Sequence, residues 1–346
     1  MLTLPDITLS VQVSGLIKDE FIRNGTLEID ERNRPIRYVG GFAVVFPFVV
    51  NGEKWAFRCW SVEIGDIGHR LQVLSDMISK TEIDYLCDFA YIPEGIVVSG
   101  KIYPTTRMRW IDGIKIKDYI CKHKNEKHIL LKLADDFLLM CQELHKNKIA
   151  HGDLQHGNIL VDEDGKLYLI DYDSMFTPLL EGELDNVTCG LPDYQHPNRA
   201  ENKYSSYKLD YFSELIIYIS ILAIAERPSL VNSYDIEEAD RLLFSKEDFI
   251  QLSSSNIYKD LQSLSQKIRD LLSVLEEYLS HDKIEELGPF DFIQKIKKMK
   301  LKYDDIQYCT YCGTKFHVNE ETKYCINCGK KVLEYKLLNF RFNFAA

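Results

Sequence analysis

At 346 residues, 45% hydrophobic and 12% aromatic, the chain can hold one large domain plus a small one, and wholesale disorder is excluded. A formal charge of −11 disfavours a nucleic-acid partner, and the lysine run KIKKMKLK at 295–302 reads as the solvated face of a helix. The start lacks a basic region followed by an apolar run, so no signal peptide is expected, and nine cysteines, four in a metal pattern and the others at Cys59, Cys87, Cys121, Cys141 and Cys189, suit reduced thiols in a cytoplasm.

Residues 1 to about 110 read mostly as strands. ITLSVQV, FAVVFPFVV and KWAFRCW are β-branched or aromatic, and Asn24-Gly25 and Asn51-Gly52 predict hairpin turns. One helix is expected within GDIGHRLQVLSDMISK, where Leu71, Leu74 and Ile78 share a face. From about residue 113 the period becomes helical: Ile129, Leu133, Phe137 and Met140 mark one helix, and SSNIYKDLQSLSQKIRDLLSVLEEYL another helical stretch. LIIYISILAIA, 215–225, is too short to cross a bilayer and reads as buried helix. The expected organisation is α+β, with a β-rich lobe over 1–110 that includes an N-terminal extension, a helical lobe over 111–302, and a small domain over 303–346.

Chemistry concentrates in HGDLQHGNILV, 151–161, and in LIDYD ten residues on. A carboxylate can orient an acceptor hydroxyl, and hard Mg²⁺ (or Mn²⁺) takes oxygen ligands, so Asp153, Asn158 and Asp171 suit phosphoryl transfer from ATP. The apolar runs NILV and LYLI around DEDGK predict a hairpin that would hold Asn158 and Asp171 on rigid elements.

At these residues the sequence resembles the protein-kinase superfamily, specifically a bacterial-type Ser/Thr kinase-like protein. HGDLQHGN is similar to the catalytic loop H-R-D-L-x-x-x-N, and DYD stands where the family has D-F-G. CGLPDYQHP, 189–197, resembles the segment that closes the activation loop, and KLDYFSEL the helix whose aspartate, here Asp210, anchors the catalytic loop. MRWIDGIKIKDYI resembles the strand and hinge around adenine, and WAFR occupies the place of V-A-I-K. The resemblance implies a two-lobed kinase fold that binds ATP through Gly40, Gly41, Arg58, Met108, Trp110, Asn158 and Asp171. It also implies Asp153, Asn158 and Asp171 as catalytic residues, Asn158 and Asp171 as Mg²⁺ ligands, and a protein acceptor.

Departures from the family pattern are specific. Its strand lysine is Arg58, which keeps the charge but is longer and planar. Lys54, four residues earlier, falls off the motif at an expected turn. The helix offers no glutamate in register; Asp76 is the nearest carboxylate, and an Arg58–Asp76 pair is the expectation. Only Gly40 and Gly41 remain of the glycine-rich loop. Gly152 replaces the loop arginine that commonly docks a phosphorylated activation loop, so activity is expected not to need phosphate on Ser174, Thr177 or Thr188. Gln155 replaces the usual Ser/Thr-kinase lysine, and Asn198 the closing glutamate. His151 is expected to pack beneath the loop, whereas the sequence does not decide whether His156 points to solvent or to substrate. HGDL…GNIL also resembles small-molecule kinases of the aminoglycoside and choline type, which lack GLPDYQHP and the KLD helix start.

In the tail, Cys309, Cys312, Cys325 and Cys328 form two C-x₂-C pairs twelve residues apart, with Gly313 and Gly329 following each pair. Four thiolates at this spacing predict a closed tetrahedral Zn²⁺ site in a module resembling a zinc ribbon, where zinc supplies folding energy that some twenty residues cannot find in a core. His317 is expected on the surface. The reading favoured is a Mg²⁺- and ATP-dependent Ser/Thr kinase; the alternatives are a nucleotide-binding pseudokinase scaffold that presents its zinc ribbon to a partner, and a small-molecule kinase of the aminoglycoside or choline type. No membrane partner is expected.

Overall fold

The structure, a computed structural model, describes residues 2–291 apart from 63, 66, 184–189 and 203, together with the backbone of 306–308 and 315–317. Two compact units divide at Gly288. The first begins with a helix, α1 (Leu4–Val11), where ITLSVQV predicts a strand. Thr3 caps it by accepting from the Asp6 N–H, Pro5 stands in its first turn, and Ile7, Thr8 and Val11 bury one helical face. Capping and an i, i+4 apolar face outweigh β-branched propensity here.

α2 (Glu20–Arg23) follows and ends at Asn24, so Asn24-Gly25 closes a helix rather than a hairpin. Gly25 is required at that exit because a Cβ would lie 2.6 Å from Val50 Cγ2. The sheet comprises β1 (Thr26–Leu27), β2 (Tyr38–Val39), β3 (Ala43–Val50), β4 (Glu53–Trp60), β5 (Phe89–Val98) and β6 (Lys101–Arg109), in the order β1-β3-β4-β6-β5 with β2 also on β3. Asn51-Gly52 makes the β3–β4 hairpin with positive φ at both residues, as expected of a two-residue turn. Ile7, Val11, Ile17 and Ile22 pack with Phe46, Phe57, Ile96 and Val98 in one core, so the N-terminal helices cover one face of this sheet. α3 (Ile67–Ile78) buries Leu71, Leu74 and Ile78, as its period predicts.

The helical lobe opens with β7 (Gly113–Lys115), α4 (Ile116–Lys122) and α5 (Lys127–Lys146). Leu133, Phe137 and Met140 are buried along α5. β8 (Ile159–Asp162) and β9 (Leu167–Leu169) form the expected hairpin and pair with β7 in a small three-stranded sheet. Gly113 lets β7 approach closely, since a Cβ there would meet Val161 O at 2.8 Å. α6 (Tyr211–Glu226) is buried from residue 211 to 225, which explains its unbroken apolar run. After α7 (Leu230–Ser233), the helical stretch near 253–279 divides into α8 (Asn256–Gln262) and α9 (Gln266–Leu279). Among the described residues no helix is long and apolar enough to cross a membrane.

In the second unit, β10 (Ile306–Tyr308) pairs antiparallel with β11 (Lys315–His317). Cys309, Cys312, Cys325 and Cys328 lie outside the described residues, as do Thr188, Cys189 and the 295–302 lysine run.

Candidate active site

The loop that carries Asp153 is held from below. Asp210, just before α6, is fully buried and accepts the backbone N–H groups of His151 and Gly152, the latter at 2.9 Å. Burial pushes its carboxyl up to about 6, with His151 and the two N–H donors pulling the other way. His151 is buried and its Nε2 is 2.8 Å from Ile170 O, which fits the expected packing role. His156 points to neither solvent nor substrate but into the protein: it is 2% exposed, hydrogen-bonded through Nδ1 to Tyr194 Oη at 2.8 Å, with Nε2 3.3 Å from Asp240 Oδ1. Burial lowers its pKa, and the Asp240 carboxylate opposes this. Tyr194 Oη also accepts from Leu242 N–H at 2.9 Å. His156 therefore ties the loop that carries Asp153 to the GLPDY segment, a role its sequence position alone could not signal.

Gly152 has φ +78, and a Cβ there would stand 2.2 Å from the Ser174 carbonyl oxygen. The missing arginine is thus also a steric requirement: the segment after Asp171 lies directly against the loop. Gly190 makes a matching approach, with φ +74 and a would-be Cβ 2.3 Å from Asp153 Oδ1. Asn158, on the step into β8, donates from Nδ2 to Asp153 O at 2.9 Å and Asp153 Oδ2 at 3.1 Å. Burial raises the Asp153 carboxyl above its ordinary 3.8, and the nearby Asp171 charge adds to this, while His151, Asn158 and the Leu191 N–H oppose it. Ser174 and Thr177 are both buried, and Thr177 Oγ1 accepts from Leu179 N–H at 3.1 Å.

Asp171, in left-handed conformation (φ 65), follows β9 and remains half exposed. Tyr172 is buried; its hydroxyl donates to Leu169 O and accepts from Cys87 N–H, both at 2.8 Å. Asp173 comes back toward the sheet. The expected Arg58–Asp76 pair is not formed. Arg58 Nη1 lies 2.8 Å from Asp173 Oδ1 and Nη2 lies 2.7 Å from Asp173 Oδ2, with Nη1 also 3.0 Å from Asp171 Oδ1. Asp76 is exposed and accepts from Gln72 on its own helix. Nor is Lys54 at a turn: it lies on β4, pairs with Glu28 at 2.8 Å and sits 4.6 Å over the Trp110 ring.

A cleft of about 1450 Å³ joins these groups, and Gly40, Gly41, Arg58, Met108, Trp110, Asp153, Asn158 and Asp171 all line it. Gly41 has no neighbour within 4 Å of a would-be Cβ, and Gly40 only Ala43 O at 3.6 Å, so the protein's own packing does not demand glycine at this turn. Asn198, in place of the family's closing glutamate, instead donates from Nδ2 to Asp282 O at 2.9 Å.

The protein kinase domain family model matches residues 108–293, more than half of the chain. The sequence is 33% identical over 102 residues to the probable serine/threonine-protein kinase MARK-B of Dictyostelium discoideum, covering 29% of this chain and 14% of that protein. It is 26% identical over 191 residues to the maternal embryonic leucine zipper kinase of Xenopus laevis, covering 53% of this chain and 28% of the relative. With the serine/threonine-protein kinase PLK1 of Xenopus tropicalis it shares 29% over 104 residues, covering 29% and 17%. The chain therefore spans well under a third of the length of each of these relatives.

Proposed function

The chain belongs to the protein kinase domain family, and from that premise we propose that it is a Ser/Thr protein kinase that transfers the γ-phosphoryl group of ATP to a protein hydroxyl. The observation that carries this reading is the convergence of Asp153, Asn158, Asp171 and Arg58 on one cleft, with the loop bearing Asp153 fastened through Asp210. Asp153 is the group that would orient the acceptor hydroxyl and take its proton as the new O–P bond forms. The β–γ bridging bond breaks and its electron pair leaves with ADP. Arg58 supplies the cation for the non-transferred phosphates.

The residues present fit a bound Mg²⁺ or Mn²⁺. Asn158 spends its amide N–H groups on Asp153, which leaves its carbonyl oxygen as a hard donor in the cleft that the Asp171 carboxylate also lines. The metal, when bound, supplies positive charge at the phosphates. Unforced glycines at 40 and 41 also suit close backbone approach by a phosphate chain.

Labelled-ATP autophosphorylation with Mg²⁺ or Mn²⁺, read by mass spectrometry, tests the reading. Wild type is expected to label itself, and Asp153→Asn to lose transfer while still binding Mg·ATP. The second reading, a nucleotide-binding scaffold, draws support from Arg58 lying on the Asp171 carboxylate; wild type that binds but never consumes ATP would favour it. For the tail, the paired C-x₂-C spacing supports a zinc ribbon. Metal analysis is expected to find about one Zn²⁺ per chain, lost on Cys309→Ser with Cys312→Ser.

A further inference from the structure

No carboxylate of α3 reaches Arg58; Asp76 hydrogen-bonds to Gln72 on the same helix instead. The family's D-F-G carries glycine at its third position, and here that residue is Asp173. Both prongs of the Arg58 fork rest on its two oxygens, at 2.8 and 2.7 Å, and the side chain is three-quarters buried there. The Trp60 ring, 5.3 Å from Arg58 Cζ, closes a further side of the guanidinium. A bidentate contact fixes the guanidinium plane as well as its position, which a single-point contact to an ammonium would not do.

We propose that Asp173 is the positioning residue for Arg58, supplying from the D-Y-D turn the carboxylate that the helix lacks; this rests on the kinase reading above. Three departures from the family pattern, arginine for lysine, no helix glutamate and aspartate for glycine, become one rearranged pair. Arg58 is then set by the turn that also carries Asp171, so cation and metal-binding carboxylate move together. α3 is left a different contact with the same segment: the buried Arg70 donates to Met175 O at 3.1 Å, its other prong reaching Ser205 Oγ at 3.1 Å.

The test uses the full chain, with KM for ATP and kcat of autophosphorylation measured separately. Asp173→Asn is expected to raise KM for ATP by about tenfold or more, the scale of one lost charge-assisted bond, with a smaller fall in kcat. R58K should do the same, and R58K combined with D173E, a shorter cation against a longer anion, should recover much of the loss. That rescue would not follow from a merely structural role. D76N should leave both constants unchanged. Asp173→Asn with wild-type KM, or an equal loss in D76N, would overturn the proposal. Denaturation midpoints of R58K, D173E and the double variant read the pair without nucleotide: an absence of coupling overturns the pairing. A wild type that neither binds nor consumes Mg·ATP overturns the kinase reading instead, whatever that coupling shows.

Discussion

Gly152 carries two constraints at one position, a positive φ and a carbonyl oxygen where its Cβ would be. G152A is therefore expected to lower stability by about 1–3 kcal/mol, the range for a non-glycine residue in strained backbone, and to slow phosphate transfer by shifting the loop. A denaturant titration together with the autophosphorylation rate checks both. Asp210 has a pKa raised from 3.8 to about 6, so its protonated form is favoured by folding. It contributes stability that is fully present below 3.8 and lost as pH rises through about 6. Unfolding midpoints should decline across that window in wild type and decline less in D210N. Asp153 is also raised, and under the proposed kinase reading it must be ionised to receive the acceptor proton, so the acid limb of kcat/KM should lie above the ordinary carboxylate value of 3.8. The sequence made the identities of Asp153, Asn158, Asp171 and Asp210 legible, because each stands in a motif with a chemical reason. The partners of Arg58 and His156 were not legible: they lie 115 and 38 residues away, and nothing local encodes such closures.

At the scale of elements, strands and long helices followed their periods, and the errors fell at the N-terminus. α1 reads as a strand because its residues are β-branched, but Thr3, Pro5 and the Ile7/Val11 spacing set a helix against the sheet. I7A, which empties a fully buried site beneath that helix, should cost about 2–5 kcal/mol with little change in KM for ATP, measured by urea denaturation and steady-state kinetics. The segment after Asp171 is an element in its own right. It touches Gly152 through Ser174 and α3 through Met175, while Ser174 and Thr177 are themselves buried. Buried hydroxyls are poorly placed to receive phosphate, so S174A with T177A is expected to keep the wild-type rate in the autophosphorylation assay.

At the scale of the whole molecule, the two compact units make separate demands on folding. The first has its own core, whereas the cysteine-paired tail is expected to depend on zinc. Chelation should therefore release the metal and leave the main calorimetric transition of the two-lobed unit in place. The helices that cover the sheet add a matter of timing. Ile17 bridges to Ile96, and the Lys18 N–H donates to Gly95 O, so this segment docks on a strand that is made some eighty residues later. At ribosomal rates of 5–20 residues per second, the apolar face of α1 waits roughly 4–16 s for β5 to be synthesised. During that interval Ile7 and Val11 can pack on Phe46 and Phe57 of β3 and β4, but the part of their burial that Ile96 and Val98 supply comes only once β5 is made.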